Sequence, residues 1–87
     1  MLPVTLYTTP ICPYCVSAKR LLAHRGIAYT EIDLSRDLAL RDRLSRENGG
    51  YSTVPMIFLG DHFIGGYTEL AAMDRAGKLL PSLTVQP

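Results

Sequence analysis

The stretch Val4-Thr5-Leu6-Tyr7-Thr8-Thr9-Pro10-Ile11-Cys12-Pro13-Tyr14-Cys15 decides how this chain is read. A short run rich in Val, Leu, Thr and Tyr predicts a strand over 3–8, with Thr9-Pro10-Ile11 as the turn after it. Pro13 suits the first turn of a helix, where its missing N–H leaves nothing unpaired. Tyr14, Ala18, Leu21 and Leu22 then recur at helical spacing to about Arg25, and Gly26 is a natural stop. Cys12 and Cys15, the only 2 cysteines of the chain, therefore fall at a helix N-terminus. A bridge between them closes so small a loop that chain entropy assigns it only ~2 kcal/mol, against ~4.7 for a 100-residue loop. The pair reads as a redox couple and not as a structural staple. The dipoles and free N–H groups of the first turn favour a thiolate at Cys12; cysteines in such motifs reach pKa values of roughly 3.5–7.5, from an ordinary ~8.5. Cys12 is the expected nucleophile. Cys15, one turn further in, is expected to be more buried and to resolve a mixed disulfide formed at Cys12.

Outward from this stretch, residues 28–33 alternate as a second strand. Ser35 is placed to cap a second helix over roughly 36–47, with Asp37–Arg41 and Asp42–Arg46 as i,i+4 pairs on a solvated face. Val54 through Leu59 is apolar, as in a buried strand, and Gly60-Asp61 signals a two-residue hairpin into His62-Phe63-Ile64. After Gly65-Gly66, Thr68 can cap a third helix, Glu69 to about Ala76, stopped by Gly77. The tail from Leu79 reads as a short packed turn and then a loose end. The order predicts one α/β domain over 1–87, βαβαββα, with a four-stranded mixed sheet flanked by helices and its first two strands parallel. A CxxC beside a βαβ pattern points to a thioredoxin-like fold. Pro55 cannot donate to a strand ladder and so belongs at the mouth of the third strand. In that context the Val54–Pro55 bond is expected to be cis, leaving the backbone of Val54 free to pair with an extended peptide.

Composition narrows the function classes. The chain has 87 residues, 47% hydrophobic and 20% charged, with a net charge of +1. That balance predicts neither a nucleic-acid nor an anionic-membrane footprint. No run approaches the ~20 apolar residues of a membrane span. Met1-Leu2-Pro3-Val4 lacks the basic n-region of a secretory signal, so a reducing, cytoplasmic setting is expected. No metal set is expected: a second ligand pair beside the cysteines is missing, and His24 and His62 fall outside zinc-ligand spacing.

Cys12-Pro13-Tyr14-Cys15, Thr53-Val54-Pro55 and Gly65-Gly66-Tyr67-Thr68-Glu69, in this order and spacing, resemble the glutaredoxin family, of the small bacterial dithiol type. The resemblance runs from about Val4 to Leu80. It implies a thioredoxin fold and glutathione-dependent reduction of protein–glutathione mixed disulfides and protein disulfides, with ribonucleotide reductase as a family-level candidate. Cys12 corresponds to the attacking and Cys15 to the resolving cysteine. Val54 corresponds to the residue whose backbone pairs with the glutathione cysteine, beside Pro55. Tyr14 and Thr53 line the groove, Gly66 allows close approach of the ligand, Tyr67 counts among the glutathione-binding residues, and Thr68 matches the helix start that holds the γ-glutamyl carboxylate. Glutathione serves as electron donor, no cofactor is tightly bound, and a monomer is expected.

Two positions depart from the family pattern. Thr9 stands where similar proteins commonly carry Lys, and Tyr51 where they often carry a basic or amide residue. Both groups help to hold the glycyl carboxylate, so Lys19 and Arg20 are candidates for partial compensation, against a plainer reading as surface cations. Two other functions stay open at this point. One is a glutaredoxin-like redoxin reduced by thioredoxin reductase, which the Gly-Gly-Tyr-Thr-Glu turn opposes. The other is an iron–sulfur scaffold, which the rigid Pro13 opposes.

Overall fold

The computed structural model describes residues 2–84. Strand β1 (Val4–Thr8) leads into helix α1 (Pro13–His24), strand β2 (Thr30–Asp33), helix α2 (Leu38–Glu47), the hairpin β3 (Met56–Leu59) and β4 (His62–Gly65), helix α3 (Tyr67–Arg75) and a short helix α4 (Leu79–Leu83). The sheet order is β2-β1-β3-β4. β1 and β2 are parallel, β3 runs antiparallel to β1, and β4 antiparallel to β3. This is the mixed four-stranded sheet of a thioredoxin-like fold. Leu59 pairs with His62, so Gly60-Asp61 is the expected two-residue hairpin loop.

Alternation along the strands divides the core between two faces. On one face, Val4 and Leu6 of β1 and Ile57 and Leu59 of β3 pack with Ala18, Leu22, Leu70, Leu79 and Leu83 of the helices. On the other, Met56 packs with Leu34 and Leu44, and Tyr7, Phe58, Phe63 and Tyr51 lean against them. The second cluster puts rings side by side: Tyr7–Phe58, Phe58–Phe63 and Phe63–Tyr51 centroids lie 5.6, 5.2 and 5.0 Å apart. Gly26 ends α1 as expected, at φ 69°, a conformation that costs other residues about 1–2 kcal/mol.

Several expected boundaries are corrected. Helix α2 starts at Leu38 and not near 36. Asp37 is its N-cap, its carboxylate accepting the Leu40 N–H at 3.0 Å, while Ser35 donates its own N–H to Asp33 at 2.8 Å in a local turn. Helix α3 starts at Tyr67 with Gly66 as N-cap, so Thr68 lies inside the first turn and caps nothing. Ala28 and Tyr29 precede β2, and Val54 and Pro55 precede β3, instead of belonging to them. Leu79–Leu83 forms an eighth element beyond the expected βαβαββα, because Leu79 and Leu83, four residues apart, share one buried face. The expected loose end over 85–87 lies outside the described residues. No helix among the described residues is long and apolar enough to cross a membrane.

One polar link ties the active-site end of the sheet together. The buried Thr8 hydroxyl donates to Glu31 Oε2 at 2.8 Å, and Lys19 Nζ lies 3.1 Å from the same oxygen. β1, β2 and α1 thus meet just ahead of the turn to Cys12. The Thr8 hydroxyl is the main reason that the Glu31 pKa falls below the usual carboxylate range; burial opposes the shift and Lys19 adds to it. A depressed folded-state pKa contributes stability above the unfolded value near 4.3, lost as pH falls through the folded one. The pair is solvent-screened, so Glu31→Gln should cost only about 0.5 kcal/mol at neutral pH. Denaturant midpoints should show that gap at neutral pH and lose it as pH falls through the lowered Glu31 value. A gap of equal size in acid would locate the contribution in packing and not in charge.

Candidate active site

Cys12 is the N-cap of α1, in extended conformation at φ −148° and ψ 100°, with Pro13 opening the helix behind it. Its sulfur accepts the Cys15 N–H at 3.1 Å. The first turn of α1 carries no acidic residue. A thiolate at Cys12 therefore meets a helix N-terminus and a direct N–H donor, with no carboxylate in that turn opposing it; both features lower a thiol pKa. Cys12 is half-buried while Cys15 is only 2% exposed. The Cα atoms are 5.2 Å apart and the two sulfurs are paired, within the span that a disulfide needs. One sulfur can meet an external partner and the other can meet only the first.

A cleft of about 610 Å3 opens beside Cys12. All seven residues expected to bind substrate line it: Tyr14 from α1, Thr53, Val54 and Pro55 from the segment before β3, and Gly66, Tyr67 and Thr68 at the start of α3. The Cys12 sulfur stands at its edge, 3.7 Å from the Val54 carbonyl oxygen. The Val54–Pro55 bond is cis, as expected. The Tyr14 and Tyr67 rings stack with centroids 6.3 Å apart and planes 28° apart, forming one wall. Tyr14 is 64% exposed even so, two residues from Cys12.

The cations sit differently from the sequence-based expectation. Lys19 is held by Glu31, and with Thr9 it lines a separate cleft together with Thr8, Pro10, Glu31 and Asp33. It is not among the residues lining the main cleft. Arg41, which was expected to pair with Asp37, lines it instead. With Asp37 committed to capping α2, Arg41 turns away and donates through Nη2 to the Ser52 carbonyl at 3.1 Å, on the wall of the main cleft. The companion pair Asp42–Arg46 does form, at 3.1 Å. The signal was present in the sequence: an Asp immediately before a helix serves as a cap before it serves as an i,i+4 partner.

Glycine is required at 66 by contact. A methyl group there would lie 2.5 Å from the Tyr51 hydroxyl and 3.3 Å from the Pro55 carbonyl oxygen. The Gly66 N–H is satisfied by Glu69 Oε1 at 2.7 Å, which fixes the first turn of α3 against the cleft. Among the described residues no group of three or more His, Cys, Asp or Glu side chains converges as a metal site would require.

The family model for glutaredoxin matches residues 4–64. A glutaredoxin of Pseudomonas aeruginosa is 46% identical over 79 residues, covering 91% of this chain and 93% of that one. Glutaredoxin 3 of Escherichia coli is 39% identical over 83 residues, covering 95% and 99%. A buckwheat glutaredoxin–glutathione complex superposes with a TM-score of 0.88 at 32% identity, covering 94% of this chain and 76% of that one. The glutaredoxin of Brucella melitensis does so at 0.84 and 43% identity, covering 95% and 89%. A cysteine pair at a helix N-terminus beside an open cleft, on this fold and with these relatives, places the chain in the glutaredoxin family of glutathione-dependent oxidoreductases.

Proposed function

We propose that Cys12 and Cys15 carry the glutathione-dependent disulfide chemistry, and that the cleft from Arg41 to Thr68 binds the glutathione half of the substrate. The observation that carries this reading is the half-buried Cys12 sulfur, bonded to the Cys15 N–H and set 3.7 Å from the Val54 carbonyl at the cleft edge. The Cys12 thiolate attacks the glutathione sulfur of a mixed disulfide. The old S–S bond breaks, the partner leaves as a thiolate and takes up a proton, and a Cys12–glutathione disulfide forms. A second glutathione then attacks the bound sulfur, releasing glutathione disulfide and the Cys12 thiolate. With a protein disulfide, Cys15 resolves the mixed disulfide at Cys12 and leaves a Cys12–Cys15 bridge, which two glutathiones reduce.

Glutathione carries a bare carboxylate at its glycyl end and both a carboxylate and an ammonium at its γ-glutamyl end. Arg41, beside Ser52, suits the first. The N–H groups at the start of α3, with the Thr68 hydroxyl, suit the carboxylate of the second. Val54 supplies backbone pairing for the central cysteine, between the walls made by Tyr14, Thr53, Pro55, Gly66 and Tyr67. We propose further that the chain acts as one domain over 1–87, as a cytoplasmic monomer, on glutathionylated and disulfide-bearing proteins, ribonucleotide reductase among those to test.

Turnover of a small glutathione mixed disulfide, driven by glutathione and glutathione reductase, tests the reading. Activity that instead required thioredoxin reductase would overturn it. Arg41→Ala should raise KM for that substrate about tenfold, the worth of one charge-assisted contact, and lower kcat much less. The difference should shrink in high salt. An unchanged KM would place the glycyl carboxylate elsewhere.

A further inference from the structure

We infer that the Tyr51 hydroxyl is a specificity contact for the γ-glutamyl end of glutathione; this rests on the cleft being the glutathione site. Tyr51 stands where a basic or amide side chain was expected, yet the structure does not give it that group's task. Its ring meets Phe63 edge-on, with centroids 5.0 Å apart and planes 73° apart, at the end of the row of rings that crosses the sheet. Such a pair restricts the ring, so the position of the hydroxyl is set before any ligand arrives. That position is the start of α3, where a methyl on Gly66 would lie 2.5 Å from the oxygen. Arg41, by contrast, is anchored at Ser52.

The Tyr51 hydroxyl makes no hydrogen bond among the described residues. No buried side-chain oxygen or nitrogen among them is left without a partner. The hydroxyl is therefore open to the cleft that Tyr51 lines. A phenol both donates and accepts. The γ-glutamyl end, with an ammonium beside a carboxylate, needs an acceptor as well as donors, whereas the glycyl end needs donors only. The start of α3 supplies N–H donors and the Thr68 hydroxyl for the carboxylate, and its one acidic side chain, Glu69, already spends Oε1 on the Gly66 N–H. Tyr51 adds an acceptor for the ammonium next to them. A site that hydrogen-bonds a polar substrate group discriminates strongly against analogues lacking it.

The test is single-turnover attack by the pre-reduced protein on three mixed disulfides of one small thiol, made with glutathione, with γ-glutamylcysteine and with cysteinylglycine. Tyr51→Phe keeps the ring and its packing. It should slow the two γ-glutamyl substrates about tenfold more than the cysteinylglycine one, the size of a hydrogen bond to a charged group. Equal slowing of all three would overturn the inference, since it would report lost folding or a general change at Cys12. So would selective slowing of the two glycine-bearing substrates, which would turn the hydroxyl toward the other end. If the unaltered protein itself treats glutathione and cysteinylglycine alike, the cleft reading fails, and the inference with it. If it discriminates but Tyr51→Phe discriminates equally well, only the role of Tyr51 fails.

Discussion

Cys12→Ser is expected to remove all disulfide reductase activity, with glutathione mixed disulfides and with protein disulfides alike. Both routes begin at the same sulfur. Cys15 is only 2% exposed, so it cannot reach an external disulfide while α1 is intact. A serine hydroxyl at 12 keeps the N-cap, since serine is among the preferred capping residues, so α1 should stay folded. What disappears is the nucleophile: a thiol is partly ionised at neutral pH even when unperturbed, and a hydroxyl is not. Turnover with glutathione reductase measures the loss, and ultraviolet thiolate absorbance of the reduced protein should lose the contribution of Cys12. Substantial activity in Cys12→Ser, with loss in Cys15→Ser instead, would reverse the two roles.

The parts of this molecule that were legible in the sequence are those whose cause is local. Pro13 behind Cys12, Gly26 after the last periodic leucine and Gly60-Asp61 between two apolar runs each act through a few neighbouring bonds, and each is found where expected. The cap positions were less legible because neighbouring polar residues compete for one task. Ser35 and Asp37 both precede α2, and the carboxylate takes the Leu40 N–H because Ser35 is already held in a turn by Asp33. That small error hid a larger one. Once Asp37 caps the helix, Arg41 is released from its expected partner and faces the cleft. Which side of α2 faces the site is set by Leu44 packing on Leu34 and Met56, a long-range contact that helical spacing alone does not encode. Tyr51 is the same kind of case: its reach to Gly66 depends on Phe63, far along the chain on β4.

Cys15→Ser should separate the two activities: reduction of small glutathione mixed disulfides should survive, while reduction of protein disulfides should fall by at least about tenfold. After Cys12 attacks a glutathione mixed disulfide, the leaving thiol diffuses away, and a second glutathione completes the cycle without help from Cys15. A protein disulfide differs because the thiol it releases stays tethered beside the new bond. That thiol re-attacks and restores the original disulfide, at the high effective concentration of a held group. Only a competitor that is also held in place can win. Cys15 is such a group, its Cα 5.2 Å from that of Cys12 and its backbone N–H already on the Cys12 sulfur. The N–H contact is made by the main chain, so it persists in Cys15→Ser, and the Cys12 thiolate should remain reactive. The decisive measurement runs both substrates on one preparation and follows the Cys12–protein mixed disulfide by mass. It should accumulate in Cys15→Ser and stay undetected in the unaltered protein. Equal loss of both activities would mean that Cys15 supports the reactivity of Cys12 itself, and that the second glutathione cannot reach the bound sulfur from the cleft.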